Sequence, residues 1–392
     1  MYWRPVLRHD VAIVARDRIA NVLPDLISFD SSLDVVALCH RAVVCADADV
    51  YEASCARSTA IVDCLNAAAE HVTDELPSGI SDGLSGIGWT FEHLRRLSGD
   101  PDADDDALED LEDLLLLRLG CAEWIAKYDL ISGLVGIGAF FLERFPRRGA
   151  SDGLRLIVRH LERLAEDTPS GVTWKTPARV LPEYQRQESP TGHYDLGVAH
   201  GVPGVIALLA ECVAAGVQVE TATRLLDGSM RWLIAQQQSS PGLSYGYWIA
   251  PEVRARAPRI GWCYGDLGIA AVLHHVGTRL DRPGLVAFAR SLLDRCLAQP
   301  ADCREPGLCH GAAGIAHILS RIAQTDPDPR YLEAANCYYE RALVLLDEGQ
   351  SQVGMTPSFL DGTVGIVLTL ISAVAPIEPQ WDRRLLVSGR SR

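Results

Sequence analysis

Cys263 in GWCYGDLGIA and the Cys309-His310 pair in GLCHGAAGIAHIL are the side chains of this sequence best suited to hold a metal. Each thiol stands just before a glycine turn that opens an apolar helix, and the second thiol is followed at once by an imidazole. Two thiols and an imidazole suit Zn²⁺ with its fourth position left to water or substrate. A purely structural zinc site would normally draw four protein ligands from close C-x₂₋₄-C spacing, and that spacing is absent. Scattered Cys and His residues are ordinarily core residues. What sets these apart is that both cysteines occupy the same place in a repeated unit.

That unit organises the chain. The sequence G-x-x-G-[IV] recurs in GLSGIG (83–88), GLVGIG (133–138), GVPGVI (201–206), GDLGIA (265–270), GAAGIA (311–316) and GTVGIV (362–367). Self-similarity at intervals of 50, 68, 64, 46 and 51 residues marks a repeat architecture. Each unit is long enough for a helical hairpin, one inner helix starting at the glycines and one outer helix returning. Glycine would serve there by allowing positive φ or a close backbone approach. Asp129, His200 and Tyr264 join the cysteines and His310 in or just before these turns. Turns of different repeats then converge at one end of a closed ring, or line the concave face of an open solenoid. As helix caps, Asp129 and His200 would have a purely structural role.

The remaining composition sets limits. A chain of 392 residues with 48% hydrophobic and 22% charged residues has ample core for a soluble globule. A net charge of −15 disfavours nucleic acid or an anionic membrane as the main partner. Eleven cysteines, an odd number, scattered along the chain read as reduced thiols. The charged N-terminus lacks the apolar core of a secretory signal, and no apolar run is long enough to span a membrane. A cytoplasmic location is expected.

The sequence predicts one domain over residues 1–392. Residues 1–75 carry helices without the glycine motif, with Cys39, Cys45, Cys55 and Cys64 as small core residues on their faces. The acidic run at 99–117 lacks the spacing of a calcium loop and suits the solvated start of a helix. DADDDALED (102–110) superficially resembles the metal motif of terpene cyclases, but it lies on no glycine turn. Residues 171–199 lose helical periodicity and read as a loop or small extended excursion. Trp174, Tyr184, Lys175, Arg179 and Arg186 make it a candidate for substrate contacts. Helices are expected at about 203–215, 222–237, 267–280, 285–298, 312–324, 330–347 and 364–374.

YDLGVAHGVPGVIALLA, GWCYGDLGIA and GLCHGAAGIAHIL resemble the lanthionine synthetase C-like family, the lantibiotic cyclases. The glycine motifs extend the resemblance over about residues 80–370. It implies an all-α fold, an α/α toroid of repeated helical hairpins with Gly-rich turns. It also implies one catalytic zinc on Cys263, Cys309 and His310, and catalytic roles for His200, Asp129, Arg259 and Tyr264. The family has seven helix pairs, whereas six glycine motifs are visible.

The implied reaction adds a cysteine thiol of a dehydrated precursor peptide to dehydroalanine or dehydrobutyrine, closing a thioether ring. Zinc would hold the thiol as thiolate. His200 would act as acid, Asp129 would orient it or take the thiol proton, and Arg259 would stabilise the enolate. The toroid uses nearly the whole length, so a separate dehydratase is the expected source of the substrate. Addition of glutathione to dehydroamino acids in proteins would use the same site. A non-catalytic peptide-binding toroid would be expected to lose the zinc ligands, and all three are present.

Overall fold

Helices dominate the computed structural model, which describes residues 3–27, 33–99, 108–238, 242–250, 259–299, 303–350 and 356–390. In chain order they are α1 (His9–Ile27), α2 (Val35–Glu52), α3 (Ser58–Glu70), α4 (Leu84–Leu97), α5 (Glu109–Leu119), α6 (Leu134–Arg144), α7 (Arg148–Leu164) and α8 (Glu183–Glu188). They continue as α9 (Val202–Ala214), α10 (Val219–Ala235), α11 (Asp266–Arg279), α12 (Pro283–Leu297), α13 (Ala312–Thr325), α14 (Pro329–Gln350) and α15 (Thr363–Val374). Among the described residues, no helix is long and apolar enough to cross a membrane.

The chain divides into two compact units. One comprises residues 74–92, 102–298 and 382–392. Within it α6 pairs with α7, α9 with α10 and α11 with α12, and α9 packs beside both α6 and α11. The first helix of each pair is apolar around most of its circumference and buried along most of its length, as a core helix must be. The second is one-sided: α7 buries Ala150, Leu154, Ile157, Val158 and Leu161 at three- and four-residue spacing. Gly88 of α4 lies against Leu111 of α5 and Phe140 of α6. The buried Arg144 guanidinium joins these three helices through Glu92, at 3.3 Å, and Glu112.

The other unit comprises residues 1–73, 93–101 and 299–381. Here α13 pairs with α14 and α2 with α3, while α15 packs against α1, α2 and α13. The start of the chain is bound to α15 by Trp3 Nε1–H to the Ser372 carbonyl (2.8 Å) and Val6 N–H to that of Ala373 (2.9 Å). The hairpin α2–α3 is thus a further helix pair, made without a glycine motif. Its first helix is capped conventionally, the Asp34 carboxylate accepting from Ala37 N–H at 2.9 Å. Cys39, Cys45 and Cys64 are core residues as expected, but Cys55 is exposed, because it falls in the turn after α2 rather than on a helical face.

Every glycine-motif helix is entered through a seven-residue hook: 77–83, 127–133, 195–201, 259–265, 305–311 and 356–362. At α4, α6, α11, α13 and α15 the hook does the work of a cap with backbone alone. The first N–H groups of a helix have no intrahelical acceptor. In α13, Ala312, Ala313 and Gly314 donate to the carbonyls of Glu305, Pro306 and Gly307 at 2.8, 3.1 and 3.3 Å. Leu134, Val135 and Gly136 repeat this with Lys127, Tyr128 and Asp129 at 3.4, 3.0 and 3.3 Å. No side chain of the capping residue bonds to α6, α9, α11, α13 or α15 at this point. The carbonyls come so close that a side chain is excluded: a Cβ on Gly268 would sit 2.1 Å from Trp262 O. Close approach is therefore the general reason for glycine, and positive φ applies among the hook glycines only at Gly265, at 92°. The fourth hook residue is buried and apolar in each copy (Ile80, Leu130, Val198, Trp262, Leu308, Phe359).

Successive hooks also hold one another in register. The fifth residue's carbonyl accepts from the N–H groups of the preceding hook: Ile131 O from Ile80 and Ser81 (both 3.1 Å), Ala199 O from Leu130 (3.1 Å) and Ile131 (3.3 Å), and Cys263 O from Ala199 (3.5 Å). Leu360 O takes Leu308 and Cys309 at 2.8 and 2.9 Å.

The 171–199 excursion carries small elements of its own. β1 (Glu166–Thr168) pairs antiparallel with β2 (Gly171–Thr173), and β3 (Tyr194–Asp195) pairs with β4 (Trp248–Ile249). Trp174 is not available to a substrate: it is fully buried, its Nε1–H donating to Leu161 O at 2.8 Å. Tyr184 is exposed, and Arg186 pairs with Glu183 at 2.7 Å. Of DADDDALED, residues 102–107 lie outside the described residues, and α5 begins at Glu109.

The hook predicts opposite outcomes for two Gly→Ala changes. Gly268→Ala should lower unfolding free energy by about 1–3 kcal/mol through the forced contact. Gly284→Ala, on α12 with nothing within 4 Å of the added carbon, should be neutral or stabilising by up to ~1 kcal/mol. Urea unfolding of the two variants measures both.

Candidate functional site

His200 immediately precedes Gly201, the capping residue of α9. Its Nδ1 meets Asp129 Oδ2 at 2.8 Å, from the preceding hook. Asp129 is buried, and its other oxygen accepts from Ser132 N–H at 2.7 Å, so the carboxylate is fixed before it holds the imidazole. The His200 side chain is 37% exposed, which leaves the ring reachable. Burial disfavours the charged ring, but the hydrogen bond and charge of Asp129, with the charge of Asp195, outweigh it. The His200 pKa therefore lies above its ordinary value.

Tyr264 is placed by the next hook. Its hydroxyl donates to Asp195 Oδ2 at 2.9 Å, and Asp195 Oδ1 accepts from Gly197 N–H at 2.8 Å. Burial and the adjacent Asp195 carboxylate hold the phenol far above its usual range, so it stays protonated. Gly197 gives the ring room; a Cβ there would lie 2.6 Å from it. Tyr264 stacks on Tyr247, with ring centroids 4.7 Å apart and planes 24° from parallel. Arg259 closes this group, its Nε–H donating to the Tyr247 hydroxyl at 2.5 Å and its guanidinium carbon lying 5.0 Å from that ring's centre. His200 and Tyr264 lie 6.3 Å apart by ring centroid.

Cys263 is the buried fifth residue of its hook, and Cys309 the partly exposed fifth residue of its own. His310 follows Cys309, and its Nε2 lies 2.6 Å from Glu305 Oε2. Cys263 and Cys309 thus hold the same position in their hooks, and each ligand residue stands at the entry of a buried helix. Two thiolates and one imidazole fit Zn²⁺ by donor type and number, with a coordination position left for a substrate atom.

Three residues at these sites were not singled out from the sequence. Asp195 and Glu305 occupy the first position of their hooks, as Arg259 does, so counting six residues back from each motif glycine would have found them. The YDL of 128–130 and the YDL of 194–196 look alike, yet their aspartates stand third and first in their hooks. Tyr247 lies in an irregular segment outside the repeat and carries no such signal.

The model of a family described as lanthionine synthetase C-like protein matches residues 46–386. A curated relative, the nisin biosynthesis protein NisC of Lactococcus lactis subsp. lactis, is 25% identical over 341 residues, 80% of this chain and 78% of its own. A solved structure named nisin cyclase superposes with a TM-score of 0.75 at 20% identity, covering 97% of this chain and 98% of that one. That likeness shows the fold, an α/α toroid.

Proposed function

The chain belongs to the lanthionine synthetase C-like family, and from that premise we propose that it is a zinc-dependent cyclase forming thioether rings in a dehydrated precursor peptide. The observation that carries this reading is the Asp129–His200 pair, read together with the zinc-type donors Cys263, Cys309 and His310 at the same positions of their hooks. A relative named for nisin biosynthesis supports the substrate class.

In the reaction a peptide thiol adds across the C=C bond of dehydroalanine or dehydrobutyrine. The S–H bond breaks, a C–S bond forms at Cβ, and the displaced electron pair passes to the enolate of the adjoining amide. A proton then goes to Cα, so the product keeps the mass of the substrate. Zinc held by Cys263, Cys309 and His310 would supply Lewis acidity that lowers the pKa of the substrate thiol.

The chain's own groups do the rest. His200 delivers the proton to Cα; Asp129 fixes its Nδ1 side and stabilises the charged ring, which leaves Nε2 as the donor. Arg259, steadied by Tyr247, offers positive charge to the developing enolate. Tyr264 keeps its proton, donating it in a hydrogen bond to Asp195, and lies beside His200. A separate dehydratase is the proposed source of the dehydrated peptide.

The purified chain should contain about one equivalent of zinc, and Cys309→Ala should lose it; metal analysis showing zinc undiminished in that variant would refute the ligand assignment.

His200→Ala should keep zinc and the circular dichroism of the parent while ring closure slows by ~10²–10⁴-fold. As an acid with a raised pKa, His200 should give full rate below that pKa and a falling rate as pH rises through it. Removing the raising interaction in Asp129→Asn should move the fall to lower pH, seen in the pH–rate profile.

A further inference from the structure

Glu305 is the first residue of the hook that presents Cys309 and His310. Its backbone serves α13: its carbonyl accepts from Ala312 N–H at 2.8 Å and from the Cys303 thiol at 3.3 Å. Its side chain does something separate, turning to the imidazole five residues on, where Oε2 meets His310 Nε2 at 2.6 Å. The hook fixes this geometry, since residues one and six are brought together by the carbonyl bonds that close it. A carboxylate meets the sixth hook residue twice elsewhere in the repeat, there from the preceding hook. Asp129 holds Nδ1 of His200, and Asp195 holds the hydroxyl of Tyr264, each a sixth hook residue.

We propose that Glu305 is a positioning residue for the metal centre, occupying Nε2 of His310 and so assigning Nδ1 as the atom that binds zinc. The proposal rests on the zinc reading above. A carboxylate that accepts the N–H of one ring nitrogen fixes the tautomer and the ring plane and makes the other nitrogen a better donor. Glu305 touches neither thiol substrate nor reacting carbon in this role. The Glu305 carboxylate is itself largely exposed, with 64% of its side chain open to solvent. What it contributes is direction more than buried charge.

The test measures zinc affinity of the full-length protein by competition with a chromophoric chelator, together with the visible spectrum of the Co²⁺-substituted protein. Glu305→Ala should bind zinc about 10–100-fold more weakly than the parent and shift the Co²⁺ bands, with helix content unchanged because the backbone cap remains. Glu305→Gln should recover part of the affinity, its side-chain carbonyl accepting the same Nε2–H. If Glu305→Ala matches the parent in affinity and spectrum while His310→Ala loses zinc, the positioning role is overturned and the ligand set stands. A Glu305→Gln variant as weak as Glu305→Ala overturns orientation as the mechanism. Should Cys309→Ala and His310→Ala also retain zinc, the metal reading fails and this inference with it.

Discussion

The constraint on which this structure depends is the capping of helices by backbone carbonyls instead of side chains. A helix start leaves N–H groups that must find acceptors, and most proteins give that task to Ser, Thr, Asp or Asn. Here five turns fold back far enough that their own carbonyls do it, as Glu305, Pro306 and Gly307 do for α13. The cost is steric, and it falls on the motif glycines, where no Cβ fits. The gain is chemical. The capping positions are left to Gly201, Gly265 and Gly311, and the one or two residues before each carry His200, Cys263 and Tyr264, and Cys309 and His310. Where the hook is missing, at α2, an aspartate returns to cap the helix.

A second layer of order comes from carboxylates within the hooks. A thiol, an imidazole or a phenol on a turn has rotational freedom that catalysis cannot tolerate. Asp129 removes it from His200, Asp195 from Tyr264 and Glu305 from His310, over distances of 2.8, 2.9 and 2.6 Å. Asp129 and Asp195 are themselves pinned by backbone N–H groups of their own hooks. Orientation thus passes from backbone to carboxylate to functional group. The charge that accompanies it raises the His200 pKa, which matches the acid role proposed for that ring.

Much of this was legible in the sequence because it is periodic. The glycine motif located every hook, and helices from α9 to α15 follow the apolar spacing to within a few residues. Cys263 and Cys309 were identifiable because they share one position in the repeat. Other features escaped because they depend on pairing in space. Nothing in YDLGVAHG says that Asp195 receives the hydroxyl of Tyr264. Tyr247 sits outside the repeat and is found only by its stacking on Tyr264. Trp174 has the composition of a binding residue, yet Leu161 O and the core claim it. The helices α2 and α3 were legible from their apolar spacing, but their pairing was not, since the pair lacks the glycine marker.

The central claim is that these groups join a peptide's thiol to its own dehydroamino acid. It is tested most directly by incubating the zinc-loaded protein with a dehydrated, cysteine-bearing precursor in the presence of glutathione, following alkylatable thiol and peptide mass together. The account predicts that peptide thiol disappears, faster than without the protein, while peptide mass stays constant. Peptide thiols that persist at constant mass, or a peptide that gains the mass of glutathione, would contradict it.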